Sequence, residues 1–428
     1  TITQSGLTTT IKQNTSSLGI DWNSFNVNSN ETVNFIQPDS SSIALNRILS
    51  QSGSEIHGQI NANGQVILVN PNGIFFGSSS TVNVGGLIAS GLDISSTDFM
   101  NGDYIFNNVA GTDGIVFNAG LLTASLGGSI ALLGQQIVNE GIISARFGRV
   151  SLAAGKAAVL TFDQQGMLGI QVTEAILQDQ IGVDPAVLNS GEINAAGGRV
   201  LLTASVSQDV FSQAVNSGDI EQATSVVVHE DGSFTLGAGA DVVNTGTIVA
   251  STSAVNENAG QIVVLGESVT SSGMIQADSL YEQGGEIELQ ANDKIELIQQ
   301  AIVSAQAINS GTGGSVKLLG DKIGLLDSSS VNVSGANGGG EALIGGDKQG
   351  ENNNIRNADF LFMSENATVF ADAKIEGDGG KIITYADDTT RIYGYLFARG
   401  SINGGNGGFI ETSGKRGFSI LNAPDVSA

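Results

Sequence analysis

Apolar positions alternate with polar ones in short runs along most of this chain, and the runs recur in phase, as in strands with one buried face. The recurring unit is Asn-x-Gly-x-Ile/Leu-x-Ala followed by Gly-Gly-x-Ile/Val-x-Leu. It occupies Asn118–Leu132, Asn139–Leu152 and Asn189–Leu202. Looser first halves begin at Asn216, Asn244 and Ser271, and second halves recur at Gly284–Leu289, Gly313–Leu318 and Gly379–Thr384. Successive starts lie 21, 50, 27, 28 and 27 residues apart. Each unit reads as strand, glycine corner, strand, with one apolar face. A single unit cannot bury that face, but a stack of units can. A period in the twenties with β-type strands predicts an all-β fold, a right-handed parallel β-helix. An antiparallel sandwich would show hairpin turns and no recurrent Asn-x-Gly phase.

Two stretches break the period, 155–187 and 205–243, and are expected to leave the solenoid as hairpins or short helices. The Asn- and Gly-rich stretches 335–357 and 403–408 read as loops. An open β-helix end exposes unpaired strand edges and core. Residues 1–30 are the candidate N-terminal cap, with Trp22 or Phe25 covering the first coil.

Composition sharpens this picture. Of 428 residues 59 are Gly and only 4 are Pro, which suits many tight turns and not a Pro/Gly linker. Charged residues make up 14%, against about 25% in ordinary globular chains. The formal net charge is −25, which disfavours nucleic acid and anionic membrane surfaces as partners. Positions 200 to 293 hold 13 Asp/Glu and no Lys or Arg. Such a tract can resist edge-to-edge association or serve as an acidic docking face, with Glu221, Glu230 and Asp231 the candidate residues. There is no cysteine, which suits a chain that crosses an oxidising compartment unfolded. No apolar run is long enough to cross a membrane as a helix, so no membrane insertion is expected. The chain starts at Thr1 without a signal peptide and reads as a trimmed piece of a longer protein.

The first hundred residues carry a specific constellation. It runs Ile20-Asp21-Trp22-Asn23-Ser24-Phe25-Asn26-Val27, then Glu31-Thr32-Val33-Asn34-Phe35, Ala44-Leu45-Asn46-Arg47 and Gly58-Gln59-Ile60. It closes on Asn63-Gly64-Gln65-Val66-Ile67-Leu68-Val69-Asn70-Pro71-Asn72-Gly73-Ile74. This resembles the secretion domain of filamentous-haemagglutinin-like exoproteins of the two-partner secretion class. The downstream repeats, and Ala386–Arg391 through Lys415, resemble the haemagglutination-type repeats of the same family. The additional Asn-Pro-Asn-Leu motif of some members is absent, which is similar to the high-molecular-weight-adhesin and haem-scavenger branch.

The resemblance implies a secretion domain over 1–230 and continuing adhesin repeats over 231–428. It implies recognition of the unfolded chain by periplasmic polypeptide-transport-associated domains of an outer-membrane transporter. Export would place the protein outside a Gram-negative cell, secreted or at its surface. The implied recognition residues are Asn46, Arg47, Asn70, Pro71, Asn72, Gly73 and Ile74. The last five also read as a plain turn, since Pro71 fixes φ, Gly73 turns the chain and the two Asn can bond local backbone.

Candidate chemistry is sparse. The two His residues are His57 and His229, both read as surface or turn positions. Asp387-Asp388 could be a ligand pair but reads better as turn capping. No zinc, EF-hand, nonapeptide calcium or phosphate-loop spacing occurs. The expectation is a monomeric, non-enzymatic adhesin without metal or cofactor, binding a host surface glycan, a host protein or a bacterial surface structure. The alternatives are a haem-carrier-binding nutrient-acquisition protein of the same secretion class and a polysaccharide-active β-helix enzyme.

Overall fold

The computed structural model describes residues 1–145, 148–162, 168–174, 186–195, 198–204, 226–228, 234–236 and 242–428. The chain divides into two compact units. One comprises Thr1–Ala195 with Leu201–Ala240, the other Ala196–Val200 with Asp241–Ala428. Both are built of short parallel strands stacked coil on coil, as a right-handed parallel β-helix requires.

In the first unit the early strands are β1 (Ile2–Ser5), β2 (Thr8–Lys12), β3 (Ser17–Trp22), β4 (Thr32–Ile36), β5 (Ile43–Ile48) and β6 (Ser54–Ile56). They continue with β7 (Gln59–Ala62), β8 (Gln65–Val69), β9 (Ile74–Phe76), β10 (Thr81–Val84) and β11 (Gly86–Ser90). Three strands make one coil, so the coils present three faces. The first face stacks β3, β5, β8, β11, Ser129–Gly134 and Arg149–Ala154. The second stacks β6, β9, Ile115–Asn118, Gln136–Asn139 and Val187–Asn189. The third stacks β2, β4, β7, β10, Leu121–Ala124, Ile142–Ser144 and Glu192–Asn194. Period-2 alternation sends every second side chain inward, and the register aligns them. Val33, Ile60, Val82, Leu122, Ile143 and Ile193 form one buried column, and Val66, Leu87, Ile130 and Val150 another.

The recurrent Asn-x-Gly is a corner device. Asn118, Asn139 and Asn189 are in register and fully buried. Asn118 Nδ2 donates to Asn139 Oδ1 at 2.8 Å, and Asn139 Nδ2 to Asn189 Oδ1 at 2.7 Å. Each amide thus satisfies the next, which makes a buried polar column tolerable. Two residues on, a Cβ at Gly141 or Gly191 would strike backbone oxygens of the preceding coil, so only glycine fits this approach.

The sequence pattern predicted one apolar face per strand, and the first face departs from that. Its outward side chains Ile43, Leu45, Ile67, Val69, Ile88, Ala131, Leu133 and Ala153 are buried too. They lie under two excursions that leave the coil at the corner between the first and second faces. One contains a short helix, α1 (Ser96–Asn101), capped at its start by Ser95 Oγ on the Asp98 N–H and at its end by Gly102 in the left-handed region. The other is an antiparallel hairpin, Ala157–Phe162 with Leu168–Glu174, to which Ile105–Asn107 adds a third strand. Phe99, Phe106, Leu92, Ile94, Ala158 and Leu160 fill the outer layer. The hairpin answers the expected excursion at 155–187; an antiparallel pair, Val226–Val228 with Phe234–Leu236, lies in the expected excursion at 205–243.

The second unit repeats the plan with longer coils. Ile262, Ile287, Val316, Ala342 and Ile382 form one inward column, and Ile248, Ile275, Val303, Val331, Val369 and Leu396 another. Asn244 Nδ2 donates to Ser271 Oγ at 3.1 Å, so serine takes the rung where the repeat is looser. The expected loop at 335–357 is corrected in part: Glu341–Ile344 is a strand of the stack, parallel to Ser315–Leu319 and Lys381–Ala386, because its apolar Ala342 and Ile344 are buried in register with those neighbours. After it the chain makes a 3-10 turn at Lys348–Gly350, and beside that turn Ile355 covers Leu343, Ile383 and Tyr385. Lys381 Nζ ties it down between Glu341 (2.8 Å) and Asp347 (3.0 Å), and the Arg356 guanidinium donates to the Ala291 and Asn292 carbonyls at 2.8 Å. Burial opposes ionisation of Asp347, but the Asn352 amide, the Lys348 N–H and Lys381 outweigh it and hold the carboxyl down at about 2.

Candidate functional site

The motif residues converge on one corner of the first unit. Asn70–Gly73 is the turn that carries β8 into β9, between the first and second faces. Gly73 N–H donates to Asn70 O at 2.9 Å, closing a four-residue turn, and Gly73 sits at φ +105°. Asn70 Oδ1 accepts the Asn72 N–H at 3.0 Å. Its Nδ2 donates to Ser52 O and to Ser54 Oγ, both at 3.0 Å, reaching the matching corner of the preceding coil. Asn72 Nδ2 reaches the same corner at Ser50 O, 2.9 Å. On the other side Pro71 O accepts the Gly114 N–H at 3.0 Å, where the first excursion returns. The turn therefore bolts three successive corners together. Asn70 is fully buried, Pro71 and Ile74 are buried, and Asn72 is half-buried.

Asn46 and Arg47 lie on β5, in register with Leu68 and Val69 just before that turn. Asn46 points inward and is fully buried. It accepts the Trp22 indole N–H at 3.0 Å and donates to Ala44 O and Ile67 O at 3.3 Å. Trp22 is half-buried and meets the buried Phe25 edge-on, ring centroids 5.4 Å apart. The candidate cap and the motif are thus one contact chain, Phe25–Trp22–Asn46. Beyond it β1 folds back antiparallel on β2, a reversal that ends the parallel stack. Arg47 points outward and grips Asp93 in the first excursion with two bonds of 2.7 Å. That hydrogen bond raises the Arg47 pKa, over the opposing effect of burial.

The partners Ser50, Ser52, Ser54, Asp93 and Gly114 escaped the sequence reading, because no local spacing marks them. Coil stacking brings them from 16 to 46 positions away. Glu221, Glu230, Asp231 and His229 lie outside the described residues. His57 is half-buried and lies beside the exposed Glu55, 3.2 Å away. Asp387 and Asp388 pair with the next coil, at Lys415 (2.6 Å) and Arg416 (3.1 Å). Among the described residues no group of three or more His, Cys, Asp or Glu is placed to hold a metal ion.

A family model of the TPS (two-partner secretion) domain matches residues 1–250. The chain belongs to the TPS secretion-domain family. The match spans the cap, the corner and the Asn ladder of the first unit. The crystal structure of the HMW1 secretion domain from Haemophilus influenzae superposes with a TM-score of 0.68 at 26% identity, covering 100% of this chain and 97% of that one. Two heme/hemopexin-binding proteins from Haemophilus influenzae are also similar. One is 32% identical over 201 residues, 44% of this chain, and the other 37% over 97 residues, 23% of this chain. These matches span only 21% and 10% of the relatives' lengths. A TPS domain marks the chain as part of a secreted exoprotein of a Gram-negative bacterium.

Proposed function

We propose that this TPS domain is the export address of a large adhesin, read in its unfolded state by the periplasmic domains of an outer-membrane partner transporter. The observation that carries the reading is the burial of Asn46 and Asn70 with their side-chain amides engaged. In the folded protein they present nothing to a partner. A transporter that reads them must do so before the corner closes, and closure then removes the address. No ATP is available outside the cell, so sequential coil formation supports onward transit. The recognition set is Asn46, Arg47, Asn70, Pro71, Asn72, Gly73 and Ile74. The secretion role is assigned to 1–230, and 231–428 to the beginning of the adhesive repeats. The transporter and a host or bacterial surface structure are the partners, and the chain acts as a non-catalytic monomer.

Coexpression with the partner transporter tests this reading. Alanine at Asn70 or Asn72 should lower the amount of protein reaching the medium. Unchanged export of both variants would leave the motif a plain turn. The likeness to heme/hemopexin-binding proteins favours a second reading, capture of a haem carrier by the whole protein. Tight binding of a haem-carrier protein with release of haem would select it over adhesion. New reducing ends on a polysaccharide would instead mark an enzyme.

A further inference from the structure

The second unit carries a groove of about 460 Å³ on the outer surface of its coils. That lies within the ~300–1,000 Å³ range of small-molecule sites. Register explains how it arises. One outward column runs Lys294, Lys322, Phe360, Thr389 and its neighbour runs Glu296, Gly324, Phe362, Arg391. Gly324 has no side chain between Glu296 and Phe362, so the second column dips there and Leu326 lines the depression. Phe360 and Phe362 are 47% and 37% exposed on the outer surface of the sheet. Tyr393 braces Phe362 edge-on at 5.6 Å.

The charges in the groove are mixed. Lys294 is neutralised by Glu296 at 2.8 Å and Lys322 by Asp293 at 2.6 Å. Arg391 is exposed and meets no acceptor among the described residues. Arg391 is thus the groove cation left without an ion pair among the described residues, while Asp321 and Asp359 add negative charge near Lys322.

We infer that this groove binds a carboxylated glycan chain. Exposed phenyl rings offer flat apolar faces to sugar C–H groups. The Arg391 guanidinium suits a carboxylate, which it can hold with two parallel hydrogen bonds. Glu296 and the Thr389 hydroxyl are placed to take sugar hydroxyls. The coil repeat of about 4.8 Å matches the length of one sugar residue, so successive residues can meet successive coils. Glu296 and Asp293 disfavour a high density of negative charge, so a glycan that meets Arg391 with one carboxylate fits the groove better than a polyphosphate or a densely sulfated chain. The inference goes beyond the export reading and does not rest on it, since none of these residues lies in the corner.

Calorimetric titration of the purified 428-residue chain tests it. The probes are tetrasaccharides of galacturonate, guluronate and hyaluronan, the methyl ester of each, and a heavily sulfated tetrasaccharide. At least one carboxylated probe should bind saturably at millimolar concentration or below, with its neutral ester weaker by about tenfold or more. Gly324→Leu keeps every ligand-facing group but fills the floor, and should abolish binding. Arg391→Gln should weaken it about tenfold while leaving the melting temperature of the parent. Absence of binding by all three carboxylated probes would overturn the inference. So would equal binding of the ester, preference for the sulfated probe, or indifference to both Gly324→Leu and Arg391→Gln.

Discussion

Replacing Asn70 by alanine removes three side-chain hydrogen bonds, to Ser52 O, Ser54 Oγ and from the Asn72 N–H, each 3.0 Å long. The backbone bonds of the turn survive, because Asn70 N–H still donates to Ser90 O and Asn70 O still accepts from Gly73. Each net hydrogen bond is worth ~0.5–1.5 kcal/mol, and a buried polar group left without a partner costs ~1–3 kcal/mol. Ser54 is only 2% exposed, so water cannot replace the lost amide there. The expected loss is about 2–4 kcal/mol. Asn72→Ala is the internal control, since it removes one bond, to Ser50 O, from a half-buried residue and should cost about 0.5–1.5 kcal/mol. Urea unfolding followed by Trp22 fluorescence reads this directly, because the indole is bonded to Asn46 in the same unit. Equal costs for the two variants, or an Asn70→Ala cost below about 0.5 kcal/mol, would refute the reasoning. Export of the same two variants adds a second axis. If both fail to leave the cell equally although their stabilities differ, recognition and not folding limits export.

Three further outcomes are expected. Asn139→Ala breaks two rungs of the buried amide ladder, to Asn118 and Asn189, and should cost about 2–3 kcal/mol in the same urea titration. Phe99→Ala empties a site only 1% exposed beneath α1 and should cost about 3–5 kcal/mol, read as a lowered melting temperature. Asp347 has a folded-state pKa of about 2, below its ordinary 3.8, so its contribution is present above about pH 4 and is lost as pH falls through 2. Asp347→Asn should remove on the order of 1–2 kcal/mol at neutral pH and flatten the stability profile between about pH 4 and pH 2. A variant profile parallel to the parent's would contradict that assignment.

The solenoid was legible because its signals are local and repeated. Asn118, Asn139 and Asn189 announce a phase, and each amide needs the next one stacked above it, so the spacing and the fold are one fact. The glycines two positions on mark the same corners. The cover over the first face was not read, although Val66-Ile67-Leu68-Val69 carries its trace. That run is apolar at consecutive positions, which alternation alone cannot explain and which means burial on both sides. Helix α1 is six residues long and lacks a helical hydrophobic period, so only packing of Phe99 on the sheet makes it. The motif residues were identifiable by resemblance, but their bonding was not. Arg47 meets Asp93 46 positions away, at a distance set by coil lengths that include an excursion.

The most direct test of the central claim is binding of this chain to the isolated periplasmic domains of its partner transporter, measured on the folded protein and on the chain held unfolded in dilute urea. The account predicts saturable binding of the unfolded chain, weakened by alanine at Asn70 and Asn72. It predicts loss of binding once the corner has closed and Asn46 and Asn70 are buried. Equal binding by the folded protein, or unfolded-chain binding indifferent to both substitutions, would contradict it.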